Sequence, residues 1–296
     1  MLGAQILGVE MATAESIAMG FGNENWRVTA ADGRSYILKL GPVESFDKWQ
    51  AARRAGELAA AAGVPMPGLV HLELQREYVV RVYDWIDGRS PVDIADQRDC
   101  VTNMFATLGS TIAALHSVEL DAFSSRLDGT APSFRRWSQY VHHRVQQIRE
   151  RSTAHDALDR RTLDQACALI TQLANEVSDS VRPTLCHRDL YADNLLVDER
   201  GALVAILDWD MAEAWDAAGE WFKLGLLLFP AFPEGDAAFT AAYRAVHPEP
   251  PDWTLRTQLV DLMETLNAVA NVATQRWNAD FESRLRAHLQ ALLSST

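Results

Sequence analysis

The chain has 296 residues, 48% of them hydrophobic and 23% charged, with a formal net charge of −13. Such acidity gives no general attraction to nucleic-acid phosphates, and without an 18-residue apolar run the sequence holds no candidate membrane span. Cys100, Cys167 and Cys186 are widely spaced with no C-x-x-C pair, which argues against a disulfide framework or a zinc site.

The first sixteen residues, MLGAQILGVEMATAES, have no basic start ahead of an apolar stretch, so a cytoplasmic protein is expected. Residues 26–30 and 35–40 flank the turn Ala31-Asp-Gly-Arg34 and predict a hairpin. An Ala-rich helix is expected over 46–62, stopped by Gly63 with Pro65 beyond. Residues 77–83 have strand composition and run into Trp85-Ile-Asp-Gly88.

From Pro91 onward the pattern is mainly helical, with apolar residues at helical spacing over 101–116 and 134–148. One β interruption is expected, where residues 195–197 and 202–207 are joined by the turn Asp198-Glu-Arg-Gly201. Helices resume from Asp216, one of them over 259–277. The expected class is α+β and bilobal: a small sheet-bearing lobe over 1–86 and a larger helical lobe over 87–296.

The strongest chemical signal is His187-Arg-Asp-Leu-Tyr-Ala-Asp-Asn194, which matches the H-R-D-L-x-x-x-N catalytic loop of kinases at each specified letter. Phosphoryl transfer needs a carboxylate at the incoming hydroxyl and an oxygen ligand for a metal ion on the phosphates. A tight loop with Asp189 and Asn194 five residues apart can aim both at one small volume. Asp208 ends the strand that follows and can meet the same metal ions.

Upstream, Lys39 ends the strand Tyr-Ile-Leu-Lys, as the phosphate-holding lysine of V-A-I-K does in kinases. Glu57, on the next helix, is its expected ion-pair partner. The stretch Gly20-Phe-Gly-Asn-Glu-Asn25, with Gly20, Gly22 and Asn23, is expected to bring backbone N–H groups to the phosphates.

Taken with Gly63-Val-Pro-Met-Pro67, Trp85-Ile-Asp-Gly88, Leu115-His116 and Ile206-Leu-Asp-Trp209, these segments make the sequence resemble the aminoglycoside phosphotransferase-like small-molecule kinases. The resemblance implies a protein-kinase-like fold with ATP or GTP between the lobes. It implies that Lys39 holds phosphates, that Asp189 orients or deprotonates the acceptor hydroxyl, and that Asn194 and Asp208 bind Mg²⁺. The nucleotide base would meet the Asp84 carbonyl and the Ile86 N–H, with Tyr83 narrowing its pocket. One departure is Arg188, where such kinases usually carry glycine.

For the acceptor, acids and indoles crowd the region after Asp208: Asp210, Glu213, Trp215, Asp216 and Glu220. Glu264, Asn267 and Asn271 offer further candidates. Such a wall favours a cationic, hydroxyl-bearing small molecule of the aminoglycoside or other antibiotic type; alternatively Asp216 and Glu220 brace the catalytic loop. A metabolic acceptor (amino alcohol, sugar or homoserine) and a catalytically dead nucleotide-binding module are the rival readings. Whether the protein is monomer or dimer is left open.

Overall fold

The computed structural model describes residues 6–8, 10–17, 24–177, 179–272 and 279–294. The N-terminal part carries a five-stranded antiparallel sheet in the order β1-β2-β3-β5-β4. Its strands are β1 (Met11–Ile17), β2 (Glu24–Ala30), β3 (Ser35–Gly41), β4 (Leu69–Leu74) and β5 (Val79–Asp84). The expected hairpin is β2–β3, and the 77–83 strand is β5.

Two strands escaped the sequence reading. β1 and β4 form the two edges of the sheet, and β4 has no fully buried residue, so no clean in–out alternation marks it. The expected loop of Gly20, Gly22 and Asn23 lies outside the described residues, as do positions 273–278 of the helix expected to reach 277.

Register fixes which side chains share a face. In the β3–β5 pair, Lys39 stands opposite Arg81 and Ile37 opposite Tyr83, so these four belong to one side of the sheet. The other side packs Val28, Tyr36, Leu38, Val80 and Val82 into a small core of its own. On the Lys39 side lies helix α1 (Ser45–Ala61), whose buried stripe is Trp49, Ala52, Ala55, Gly56 and Ala59. The small members, Ala52, Ala55, Gly56 and Ala59, let the helix approach closely. Ala55 and Ala59 join the core of the helical part, together with Met104, Leu108, Leu190 and Trp209.

The remainder is mainly helical: α2 (Arg98–His116), α3 (Trp137–Ala154), α4 (Arg160–Glu176), α5 (Glu220–Lys223), α6 (Gly235–Arg244), α7 (Trp253–Val272) and α8 (Ala279–Ser294). Helix α4 illustrates the local logic. Asp159 caps it by accepting from the Thr162 N–H at 3.0 Å, and Leu163, Ala166, Cys167, Ile170 and Leu173 recur at helical spacing on the buried side. They meet α3, α7 and α8 in the larger core.

Two small β units sit between the helices. One has the order β7-β6-β11-β8, from Ser133–Phe134, Phe123–Ser124, Glu213–Trp215 and Thr184–Cys186. The other is the hairpin of β9 (Leu195–Val197) and β10 (Leu203–Ile206), as the sequence predicted. The connector from β5 lies on this hairpin: Arg89 bridges Val197, and a Cβ on Gly88 would sit 2.8 Å from the Leu196 Cβ. Only glycine permits that approach. None of the described helices is long and apolar enough to cross a membrane.

Candidate active site

Strand β8 leads into His187, and the loop that follows is held from beneath by a carboxylate. Glu220, at the start of α5 and fully buried, accepts from the backbone N–H groups of His187 and Arg188. Burial alone would raise its pKa, but the neighbouring His116 and His187 and the Arg188 N–H lower it, so it stays ionised. The His187 Nε2–H donates to the Leu207 carbonyl at 2.9 Å, while its Nδ1 accepts from the Asp189 N–H at 3.2 Å. His187 therefore ties the catalytic loop to the end of β10.

Arg188 has φ = 68°, in the left-handed region that ordinarily favours glycine and costs other residues about 1–2 kcal/mol. What holds it there is its side chain. The guanidinium donates to Glu213 at 2.7 Å, pairs with Glu264 at 2.7 Å, and lies 3.3 Å from the Trp215 ring centroid. A buried, doubly paired and stacked guanidinium offsets the backbone penalty.

Beyond this bend two acids and an amide converge. The Asn194 amide donates to the Asp189 carbonyl at 2.9 Å and to Asp189 Oδ2 at 3.1 Å, turning its own oxygen away from Asp189. The Leu207 N–H donates to the Asn194 carbonyl at 2.8 Å, which fastens Asp208 beside the loop. Asp208 also lies in the left-handed region, at φ = 55°, and such strain gathers at functional sites. Its buried Oδ1 has no hydrogen-bond partner. Burial pushes its pKa up, but Lys39 and then Arg81 outweigh that, and the net shift is downward.

The chain contains three lysines, and each meets a different acid of this region. Lys39 Nζ lies 3.8 Å from Asp208, Lys48 Nζ 3.8 Å from Asp210, and Lys223 Nζ 3.1 Å from Asp189. An orphaned carboxylate oxygen on Asp208 and the Asn194 amide oxygen are hard donors of the kind Mg²⁺ takes, so these residues fit the metal that such chemistry requires.

Several sequence expectations need correction. Glu57 does not partner Lys39; it pairs with Arg53 at 3.1 Å and Arg54 at 3.4 Å on the exposed face of α1. Arg81, opposite Lys39 in the sheet, stacks instead over Trp49 of α1 at 4.2 Å. Arg81 in turn pairs with Asp210. Neither Arg81 nor Lys48 was anticipated.

The acid wall is compensated internally. Asp210 is held by Arg81 and Lys48, Glu213 by Arg188 and the Tyr140 hydroxyl, and Asp216 by Arg256 and the Ala218 N–H. Glu264 joins Arg188 and Arg144, and Asn267 accepts from Arg151 at 2.8 Å. Trp215 is fully buried, edge-on to Trp137. The reason is desolvation: a carboxylate taken out of water keeps its charge only with a partner. Asn271, partly exposed, lies one turn beyond Asn267 on α7.

At the connector, Tyr83 lies behind Ile37 and lines a cavity of about 430 Å³ with Met66 and Trp209 on the α1 side. Burial pushes its hydroxyl up to about 12. The Asp84 N–H donates to Gly68, and the Ile86 N–H has no partner among the described residues.

A family model described as APH, phosphotransferase enzyme family, matches residues 13–254. No curated protein matches the chain by sequence. Among solved structures, a putative fructosamine-3-kinase from Thermobifida fusca YX-ER1 superposes with a TM-score of 0.75 at 19% identity, covering 98% of this chain and 96% of that one. A thermostable mutant of aminoglycoside phosphotransferase APH(4)-Ia, in ternary complex with ADP and hygromycin B, gives 0.73 at 17% identity over 96% and 94%. Macrolide 2'-phosphotransferase type I gives 0.63 at 16% over 97% and 94%. At these identities the likeness establishes the fold.

Proposed function

The chain belongs to the phosphotransferase enzyme family, and from that premise we propose that it moves the γ-phosphate of ATP or GTP to a hydroxyl of a small molecule. The observation that carries this reading is the hydrogen-bonded pair of Asp189 and Asn194, with Asp208 fastened beside it through the Leu207 N–H and Lys39 reaching in from the sheet. The nucleotide would lie between residues 1–86 and 87–296, its base against the connector at Asp84 and Ile86.

Each residue then has a defined task. Lys39 leaves Asp208 and binds phosphate oxygens. Asp189 accepts a hydrogen bond from the acceptor hydroxyl, orients its oxygen in line with the γ-phosphorus, and takes the proton as the new O–P bond forms and the bond to the leaving diphosphate breaks. Asn194 and Asp208 would hold Mg²⁺, which when bound neutralises charge on the phosphates. His187 and Glu220 keep the loop rigid, so that the positions of Asp189 and Asn194 are set before substrate arrives.

Two acceptor classes merit separate arms of one assay. Polycationic antibiotics are suggested by the ADP–hygromycin B complex of the related fold. Sugars, glycated amines and amino alcohols are favoured by the pairing of Asp210, Glu213, Asp216 and Glu264 with arginines, which leaves little uncompensated negative charge for a polycation. A dead binding module is disfavoured, because Lys39, Asp189, Asn194 and Asp208 are all present and assembled.

The test is nucleoside diphosphate release with ATP and GTP plus Mg²⁺ across both acceptor classes. Stimulation by one acceptor, abolished in Asp189→Ala, is the expected result. Nucleotide binding with no stimulation by any acceptor would instead favour the binding-module reading.

A further inference from the structure

The family reading leaves one charged group at the reaction centre without a task. Lys223 ends α5, three residues after Glu220, and its ammonium sits 3.1 Å from Asp189 Oδ1 and 5.9 Å from the Tyr191 ring centroid. Its side chain is about a quarter exposed, at 27%. A pair so placed contributes little to stability, about 0–1 kcal/mol. Yet the position is built with care. Glu220 clamps the His187 and Arg188 N–H groups, so the turn of helix that carries Lys223 is fixed to the loop that carries Asp189. Immediately after Lys223 the helix widens into a π-turn over Leu224–Leu228, a feature common at functional sites.

The choice of residue points the same way. Every other basic side chain of the chain, histidine aside, is arginine apart from Lys39 and Lys48, and these too lie on site carboxylates. Arginine suits fixed pairs, as Arg188 and Arg256 show here; a lysine is a compact charge on a flexible stem that can change partners. At Asp189 a partner must be exchanged, because the same carboxylate has to receive the acceptor's proton.

Resting on the phosphotransferase reading, we infer that Lys223 is a catalytic residue. It masks Asp189 before substrate binds, then turns its ammonium to the oxygens of the transferring phosphoryl group. As the acceptor oxygen–phosphorus bond forms and the bond to the diphosphate breaks, the hydroxyl proton passes to Asp189. Lys223 keeps its own protons and stabilises the charge spread over the equatorial oxygens.

The test needs no knowledge of the acceptor, since water can replace it in slow hydrolysis of Mg-ATP or Mg-GTP to diphosphate and inorganic phosphate. Wild type, Lys223→Met and Lys223→Arg are compared for kcat, for nucleotide Kd by calorimetry, and for the thermal stabilisation given by MgADP with aluminium fluoride. In Lys223→Met we expect kcat to fall about 10²-fold, nucleotide Kd to stay within about threefold, and the fluoroaluminate increment to vanish. Lys223→Arg, which keeps the charge, restores part of each. An unligated melting temperature equal to wild type guards against misfolding.

A kcat loss under threefold, or an unchanged fluoroaluminate increment, overturns the inference. So does a loss that appears wholly in Kd, which would make Lys223 a ground-state nucleotide ligand. Failure of wild type to bind Mg-nucleotide at all would overturn the phosphotransferase reading as well, and is thereby distinguishable.

Discussion

Arg81→Met tests whether the buried contact between the sheet and the loop after Asp208 is what the geometry indicates. Arg81 is 1% exposed and Asp210 9%, joined across 129 residues of sequence by two hydrogen bonds. Breaking a buried pair from one side typically costs about 3–5 kcal/mol, because the other charge is left uncompensated. Two features place this case at the low end. Lys48 remains 3.8 Å from Asp210, and methionine refills much of the space over Trp49.

The expected loss is therefore about 3 kcal/mol, a melting-temperature drop of roughly 4–6 °C for a chain of this size. Scanning calorimetry or circular dichroism would measure it. The double variant Arg81→Met/Asp210→Leu should recover most of the loss, since a hydrophobic pair of similar volume replaces the ionic one. A drop below about 2 °C in the single variant, or no recovery in the double, would refute the reasoning.

The other predictions concern chemistry and pH. Asp189→Ala should abolish turnover and leave nucleotide Kd within about threefold; retained activity would remove Asp189 from the mechanism. Asp208→Ala should weaken binding of Mg-nucleotide at least tenfold, a loss of about 1.4 kcal/mol, and equal Kd values in calorimetry would sink its metal role. Tyr83→Ala should shift any GTP preference toward ATP, and an unaltered kcat/KM ratio for the two nucleotides would mean the base sits elsewhere. Asp128, held first by the Arg126 guanidinium and then by Thr130, has its pKa lowered to about 2. A carboxyl depressed on folding stabilises above its unfolded pKa near 4 and loses that contribution as pH falls toward 2. Allowing for solvent screening this amounts to about 1 kcal/mol, so the wild-type melting temperature should fall more steeply than that of Asp128→Asn between pH 4 and pH 2.

Much of the candidate site's layout could be read from the sequence because its geometry is local. Asp189 and Asn194 are placed by one tight loop, and Asp208 is placed by the hairpin that follows. The β2–β3 hairpin put Lys39 near the end of β3 for the same reason: turn chemistry and two-residue alternation are written into neighbouring residues. Glu57 failed because helix position alone does not say which face meets the sheet. Trp49 and Ala52 fill that face, and Glu57 points to solvent beside Arg53 and Arg54.

Neighbouring residues alone set which groups could do chemistry: a loop of kinase type, a lysine, the candidate metal ligands Asn194 and Asp208, and a helical part to hold them. Which of the remaining charges are free follows from the packed fold. Asp210, Glu213, Asp216 and Glu264 looked like an open acidic wall until Arg81, Arg188 and Arg256 arrived from β5, the catalytic loop and α7 to neutralise it. In the same way Lys223 gained its meaning from Asp189, 34 residues away in sequence and 3.1 Å away in space. Charge pairing is a long-range choice made by burial: the energy of an ion pair depends on distance and desolvation, and neither is encoded in the spacing of residues along the chain.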